Sequence, residues 1–270
     1  MQADKHFFDT VRPLFSGGKL NELQVEGMTR IVDYARENEY DRGETAFMLG
    51  QIFHETAQWM QPLREGARRY GPNNYTDQQA INAVTAIYNK RIIRTNYALP
   101  AGPYGQSYYG RGLIQITWYD NYLKFENILG KPLVENPDLA LDWKIALDIA
   151  FIGCRDGVFR SKSMDDYTFP DEFEAARNIV NGDTKTNGKS TAKYSTAFYE
   201  ALGGVIGDTT GNGHAPKGPS KADYKEVQQE LKALNLYKGS IDGIWGKGSK
   251  AALTRFEKAE PIINKFKGEL

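Results

Sequence analysis

The stretch "ETAFMLGQIFHETAQWM", residues 44–60, decides how the chain is read. At about 100° per residue, Phe47, Leu49, Ile52, Phe53, Ala57 and Met60 fall on one wide apolar arc, so the spacing predicts a helix through the whole stretch. Gln51, His54, Glu55 and Gln58 share the narrower polar arc, with Glu55 at its edge and Trp59 one turn on. A carboxyl at such a seam is expected to be partly desolvated and to keep its proton, as a general acid must. Taken alone, the same helix allows Glu55 as a solvated surface glutamate and His54 as an ordinary hydrogen-bonding side chain.

His54-Glu55 begins like the zinc-peptidase motif His-Glu-x-x-His, but Gln58 stands where the second histidine belongs. The remaining histidines, His6 and His214, are far off in sequence, so no metal and no cofactor is expected. The single cysteine, Cys154, excludes an intramolecular disulfide and reads as a buried structural thiol. Lysine plus arginine equals aspartate plus glutamate at 34 each, which points to no nucleic-acid partner. No run approaches the ~18 apolar residues of a membrane span, so stable membrane insertion is not expected. The start, "MQADKHFFDTVRP", lacks the apolar stretch of a secretory signal, and the expectation is synthesis in a cytoplasm.

Outward from residues 44–60, the helical period recurs. "NELQVEGMTRIVDYARENE" places Leu23, Met28, Ile31, Val32 and Ala35 at helical spacing, and "DQQAINAVTAIYNKRI" does so with Ile81, Val84, Ile87 and Tyr88. "NPDLALDWKIALDIAFIGCRDG" has a Pro-Asp start suited to a first helical turn and a glycine suited to closing it. Between these, "YALPAGPYGQSYYGRG" is dense in glycine and aromatics, and Leu113 to Trp118 predicts a short strand. Composition shifts once, at "GGVIGDTTGNGHAPKGPSKAD" (203–223), which reads as a linker. The expected organisation is a mainly α protein: a helical domain over 1–205, a linker over 206–222 and a small three-helix domain over 223–270. In the last, Val227, Leu231 and Leu234 form one apolar stripe and Ala251, Ala252, Leu253 and Phe256 another, around a glycine-punctuated loop bearing Trp245.

Ten residues after Glu55, "PLREGARRYG" places Glu65 just past a proline. Two carboxyl groups, one on a helix and one on the following loop, can face each other across a groove, as inverting glycosidases require. Alone, Glu65 equally suits a surface partner of Arg64, Arg68 or Arg69. "HET" with a nearby glutamate, then "YYGRGLIQITWYDNY", "NPDLALD" and "NIVNGD", in that order over residues 45–200, resemble glycoside hydrolase family 19. That family comprises lysozyme-like chitinases and phage or bacterial endolysins. The resemblance implies a lysozyme-like helical catalytic domain with Glu55 as general acid, Glu65 as general base and Thr117 as a hydroxyl holding the attacking water. It further implies that His54, Tyr109, Gln115, Asn121, Tyr122 and Asn181 bind substrate. Leu113 departs from the proline of plant members, and Lys193 is the candidate for a basic residue on the far cleft wall.

The C-terminal "VQQELKALNLYKGSIDGIWGKGSKAALTRFEK" resembles a three-helix peptidoglycan-binding domain, with Trp245 as a substrate-binding candidate or the plug of a very small core. Together the resemblances imply an endolysin: a monomeric N-acetylmuramidase that binds and cuts bacterial peptidoglycan by inversion and reaches the wall through a holin. A chitinase is the nearest alternative. A wall-peptide amidase or peptidase, and a non-catalytic wall binder, are more distant ones.

Overall fold

The computed structural model describes residues 1–203, 221–241 and 256. The described residues are mainly helical, as expected. The helices are α1 (Lys5–Val11), α2 (Glu22–Glu37), α3 (Arg42–Glu55), α4 (Asp77–Asn89), α5 (Tyr119–Leu129), α6 (Trp143–Arg155), α7 (Phe173–Val180), α8 (Lys189–Leu202) and α9 (Lys221–Ala233). Two two-residue strands, β1 (Leu63–Arg64) and β2 (Arg111–Gly112), pair antiparallel. The chain divides into two compact units, Met1–Leu123 with Pro132–Gly218 and Lys124–Lys131 with Pro219–Leu270.

The centre of the first unit is α3. Asp41 caps it reciprocally with Glu44, and every residue from Gly43 to Phe53 except the capping-box glutamate is buried. A helix apolar on nearly all sides belongs inside a core, so the polar arc expected from the sequence is open to solvent only in part, at His54, Glu55 and Gln58 near its end. Gln51 is fully buried on it. Helix α8 crosses α3 so closely that a Cβ on Gly50 would sit 2.1 Å from Ser195 Oγ and 2.7 Å from Ser195 N. The backbone nitrogen cannot swing aside, so Gly50→Ala should cost about 1–3 kcal/mol through overpacking. An unchanged denaturant midpoint would refute that account of the crossing.

Elsewhere the caps explain the boundaries. Asn21 with Gln24 and Thr76 with Gln79 form capping boxes that start α2 and α4. The expected Pro-Asp helix start is instead a separate 3-10 turn, Pro137–Leu141, and Asp142 caps α6 by accepting from Ile145 N. A second correction concerns Leu113 to Trp118. The strand lies one step earlier, at Arg111–Gly112, and Gln115 and Trp118 adopt φ of +54° and +76° in a tight turn. β propensity was outvoted by the side-chain anchoring of that turn.

Beneath the strand pair, the buried Arg111 acts as a clamp. Its guanidinium lies 3.7 Å from the Tyr109 ring centre and donates to Asp138, Asp77, Ser107 O and Tyr122 Oη. In the second unit, α9 begins at Lys221, inside the expected linker. Leu231 and Tyr237 are buried there with Leu236 and Phe256 against them, whereas Val227 and Leu234 of the predicted stripe are exposed. Most of the linker, the loop with Trp245 and residues 251–253 lie outside the described residues. Among the described residues, no helix is long and apolar enough to cross a membrane.

Candidate active site

Glu55 is the last residue of α3. The helix stops there instead of running to residue 60 because Thr56 caps it: its Oγ1 donates to Ile52 O (2.7 Å) and accepts from Met60 N (3.0 Å). Ala57, Gln58 and Met60 then take φ of +48°, +73° and +54°, a turn that carries neither glycine nor proline and so had no sequence signal.

The expected apolar seam around Glu55 is an ion pair. Glu55 Oε1 accepts from Arg177 Nη1 at 2.6 Å, and Trp59 Nε1 donates to Arg68 O instead. Arg177, 1% exposed at its side chain, also donates to Gln51 Oε1 and forks onto Asp183 through Nε (2.7 Å) and Nη2 (3.1 Å). Burial works against the guanidinium's charge, but Asp183 and Glu55 outweigh it and hold its pKa above the ordinary value. Burial likewise pushes Asp183 up, and hydrogen bonds from Arg177 and Asn187 more than reverse this. Glu55 Oε2 has no hydrogen bond among the described residues.

Glu65 follows β1, and the ladder carries on to it: its N donates to Gly110 O at 2.7 Å. Its carboxylate accepts on both oxygens, from Tyr97 Oη at 2.6 Å and Gly110 N at 2.9 Å. Gly110 gives the site room here, since a Cβ would stand 3.0 Å from both Glu65 Oε2 and Gln115 Oε1 and press both side chains out of place. Burial, and after it the Glu65 charge, raise the Tyr97 pKa, so the phenol remains a donor.

Glu55 and Glu65 line one cleft of about 480 Å³ together with Gln115, Thr117 and Asn181. Ala83, Val84 and Ile87 of α4 form an apolar wall, and Arg64 and Arg68 border it. Gln115 is fixed by donating to Leu63 O and Gly112 O, both at 3.0 Å. Thr117 Oγ1 donates to Gln115 O at 2.9 Å, which leaves its lone pairs as acceptors. Asn181 ends α7 with an extended backbone.

Other expected site residues lie elsewhere. Tyr109 and Tyr122 are fully buried, so they cannot line the cleft: Tyr109 donates to Asp77, Tyr122 donates to Tyr109 O, and both rings hold Arg111. The resemblance implied that they bind substrate, but their ring faces are spent on a cation. Asn121 donates to Thr117 O at 2.8 Å, acting on the cleft through the backbone of Thr117. His54 is half-buried and does not border the cleft. Trp245 lies outside the described residues. Lys193 is exposed on α8. Among the described residues, no cluster of three His, Cys, Asp or Glu side chains could hold a metal ion.

The sequence reading missed Arg177, Tyr97 and Arg68. Arg177 did leave a trace: it shares the apolar face of α7 with Phe173, Ala176 and Val180, where an arginine needs buried partners. Tyr97 left none.

Burial lowers the His54 pKa below its ordinary value of 6.5, against the pull of Glu55. The unfolded chain therefore binds more protons as pH falls below about 6.5, and stability drops in that window. Thermal unfolding of His54→Gln should show a shallower loss between pH 6.5 and 5 than the parent. An unchanged slope would remove His54 from the account.

Residues 32–153 match the glycoside hydrolase family 19 model described as chitinase class I, and residues 220–260 match a peptidoglycan binding domain. The two matches lie in that order along the chain, the first over the stretch that carries Glu55, Glu65 and Thr117 and the second beginning at the start of α9. An endochitinase of Arabidopsis thaliana is 45% identical over 56 residues, 19% of this chain and 20% of its own length. An endochitinase of Brassica napus is 32% identical over 36% of this chain and 27% of its own. An inactive chitinase-like protein of Hevea brasiliensis is also 32% identical, over 36% of this chain and 28% of its own. The matched segments thus span a fifth to under a third of these relatives. Among solved structures, chitinase C from Streptomyces griseus covers 77% of this chain and 95% of its own, with 19% identity and a TM-score of 0.46.

Proposed function

We propose that the protein hydrolyses the glycan strands of bacterial peptidoglycan as an N-acetylmuramidase of the endolysin type. The observation that carries this is the cleft itself, which brings together two carboxyl groups held in opposite ways. Glu55 has one oxygen on Arg177 and the other without a partner, so in its acid form the proton on the free oxygen can pass to the glycosidic oxygen and leave a carboxylate that Arg177 holds. Glu65 accepts on both oxygens and retains lone pairs for a water. Thr117, its proton turned to Gln115 O, accepts the second hydrogen of that water and leaves the water's own lone pair toward the sugar. Attack from the face opposite Glu55 inverts the anomeric carbon, with no covalent intermediate.

The peptidoglycan-binding match at residues 220–260 favours a wall substrate, because tethering raises local concentration only when both modules share a polymer. Release from the cytoplasm through a holin-like pore and action as a monomer belong to the same proposal. The names of the relatives favour a second reading, a chitinase acting on N-acetylglucosamine polymers. Digestion of purified peptidoglycan followed by mass spectrometry separates the two. Reducing N-acetylmuramic acid ends are expected; intact peptidoglycan alongside cleaved chitin would give the answer to the chitinase.

A further inference from the structure

Next to the cleft of Glu55 and Glu65 lies a second groove of about 390 Å³, and Arg68 borders both. Its chemistry differs from that of the cleft. Lys19 and Arg68 line it, both are exposed, and neither has an ion-pair partner among the described residues. No acidic side chain lines it. Some surface arginines, by contrast, are paired with a neighbouring carboxylate, as Arg12 is with Asp9, Arg30 with Glu26 and Arg36 with Asp33. Asn21 places the start of α2 in the same wall, so the positive end of the helix dipole adds to the two cations.

The opposite wall is the turn that leaves Glu55. Three of its residues hold φ values that non-glycine residues rarely adopt, a strain that persists only where surroundings enforce it. Here they do. Gln58 Oε1 accepts from Ser16 N and Ser16 Oγ, both at 3.2 Å, and Gln58 O accepts from Gln24 Nε2 at 3.0 Å. Trp59 Nε1 ties the turn to Arg68 O. The groove is therefore preformed, cationic and joined to the cleft at Arg68.

A glycan lying in the cleft projects its substituents sideways. Chitin offers only neutral acetamido and hydroxymethyl groups. A peptidoglycan strand carries, on alternate sugars, a lactyl-linked peptide with free carboxylates. We infer that the groove of Lys19 and Arg68 takes the acidic stem peptide of the strand bound in the cleft, and so favours peptide-bearing glycan over bare glycan. The inference rests on the peptidoglycan reading of the cleft.

The test is binding to the full chain carrying Glu55→Gln, which needs no turnover. The probes are N-acetylglucosaminyl-N-acetylmuramyl tetrapeptide and the same disaccharide without its peptide, measured by calorimetry. The peptide-bearing probe should bind about five- to tenfold tighter, an advantage of the size expected for exposed charge pairs and one that shrinks with added salt. Adding Lys19→Glu should erase the advantage while leaving affinity for the bare disaccharide unchanged, and Lys19→Arg should keep it. Equal affinities, undetectable binding of both probes, or an equal loss on both from Lys19→Glu would overturn the inference. Failure of the parent enzyme to cut peptidoglycan sinks the functional proposal instead, since a peptide-dependent affinity in the inactive variant is a separate reading.

Discussion

Glu65→Ala should lower turnover of glycan by about a hundred- to ten-thousandfold, the range for a general base, while binding of the strand persists. The side chain is held from two directions, by Tyr97 Oη and Gly110 N. Its removal leaves the Gly110 N–H short of an acceptor, so a loss of about 1–3 kcal/mol in stability should accompany the kinetic defect. Thr117→Val keeps the branched shape and deletes the hydroxyl, so it should reduce turnover by a smaller factor. Because both groups act on one water, the double variant should be scarcely worse than Glu65→Ala alone. Azide supplied to Glu65→Ala should restore turnover and give the α-glycosyl azide from a β-linked strand, since an inverting site leaves room for an external nucleophile. A trapped glycosyl-enzyme, or anhydromuramic ends from the parent protein, would overturn the inverting scheme.

Glu55→Gln is expected to cost at least about a hundredfold in turnover with the fold retained. Glutamine can still accept from Arg177 through its amide oxygen, and Arg177 keeps the Asp183 carboxylate as counter-charge. What disappears is the transferable proton. Glycan hydrolysis near the parental rate by a folded Glu55→Gln protein would remove Glu55 from its role, whatever Glu65 does. The ion pair with Arg177 gives this experiment a structural control. A circular dichroism spectrum and melting point close to the parent's would show that the Arg177–Asp183 bridge survives the change.

Much of this was legible in the chain before any coordinates. The 3.6-residue period of residues 21–39 and 77–92 predicted α2 and α4 because an apolar stripe is a local property, readable where it stands. The two glutamates, the Gln-x-Thr of 115–117 and Asn181 were named from sequence, and the fold brings all of them to one cleft.

Only the tertiary structure decided what each of them meets there. Helix α3 looked amphipathic because three polar residues share one face, yet Gln51 on that face is fully buried, and both it and Glu55 are answered by an arginine more than a hundred residues on. The end of α3 at Thr56 depends on a side-chain hydroxyl bridging to Met60, a device with no compositional mark. Tyr109 and Tyr122 are of a residue type that can bind sugar, and whether such rings meet a ligand or enclose Arg111 is set by how deeply the packed chain buries them. Periodicity, caps and residue chemistry are written in short windows of sequence. The pairing of buried charges is not, because it depends on contacts between segments that only the packed fold makes neighbours.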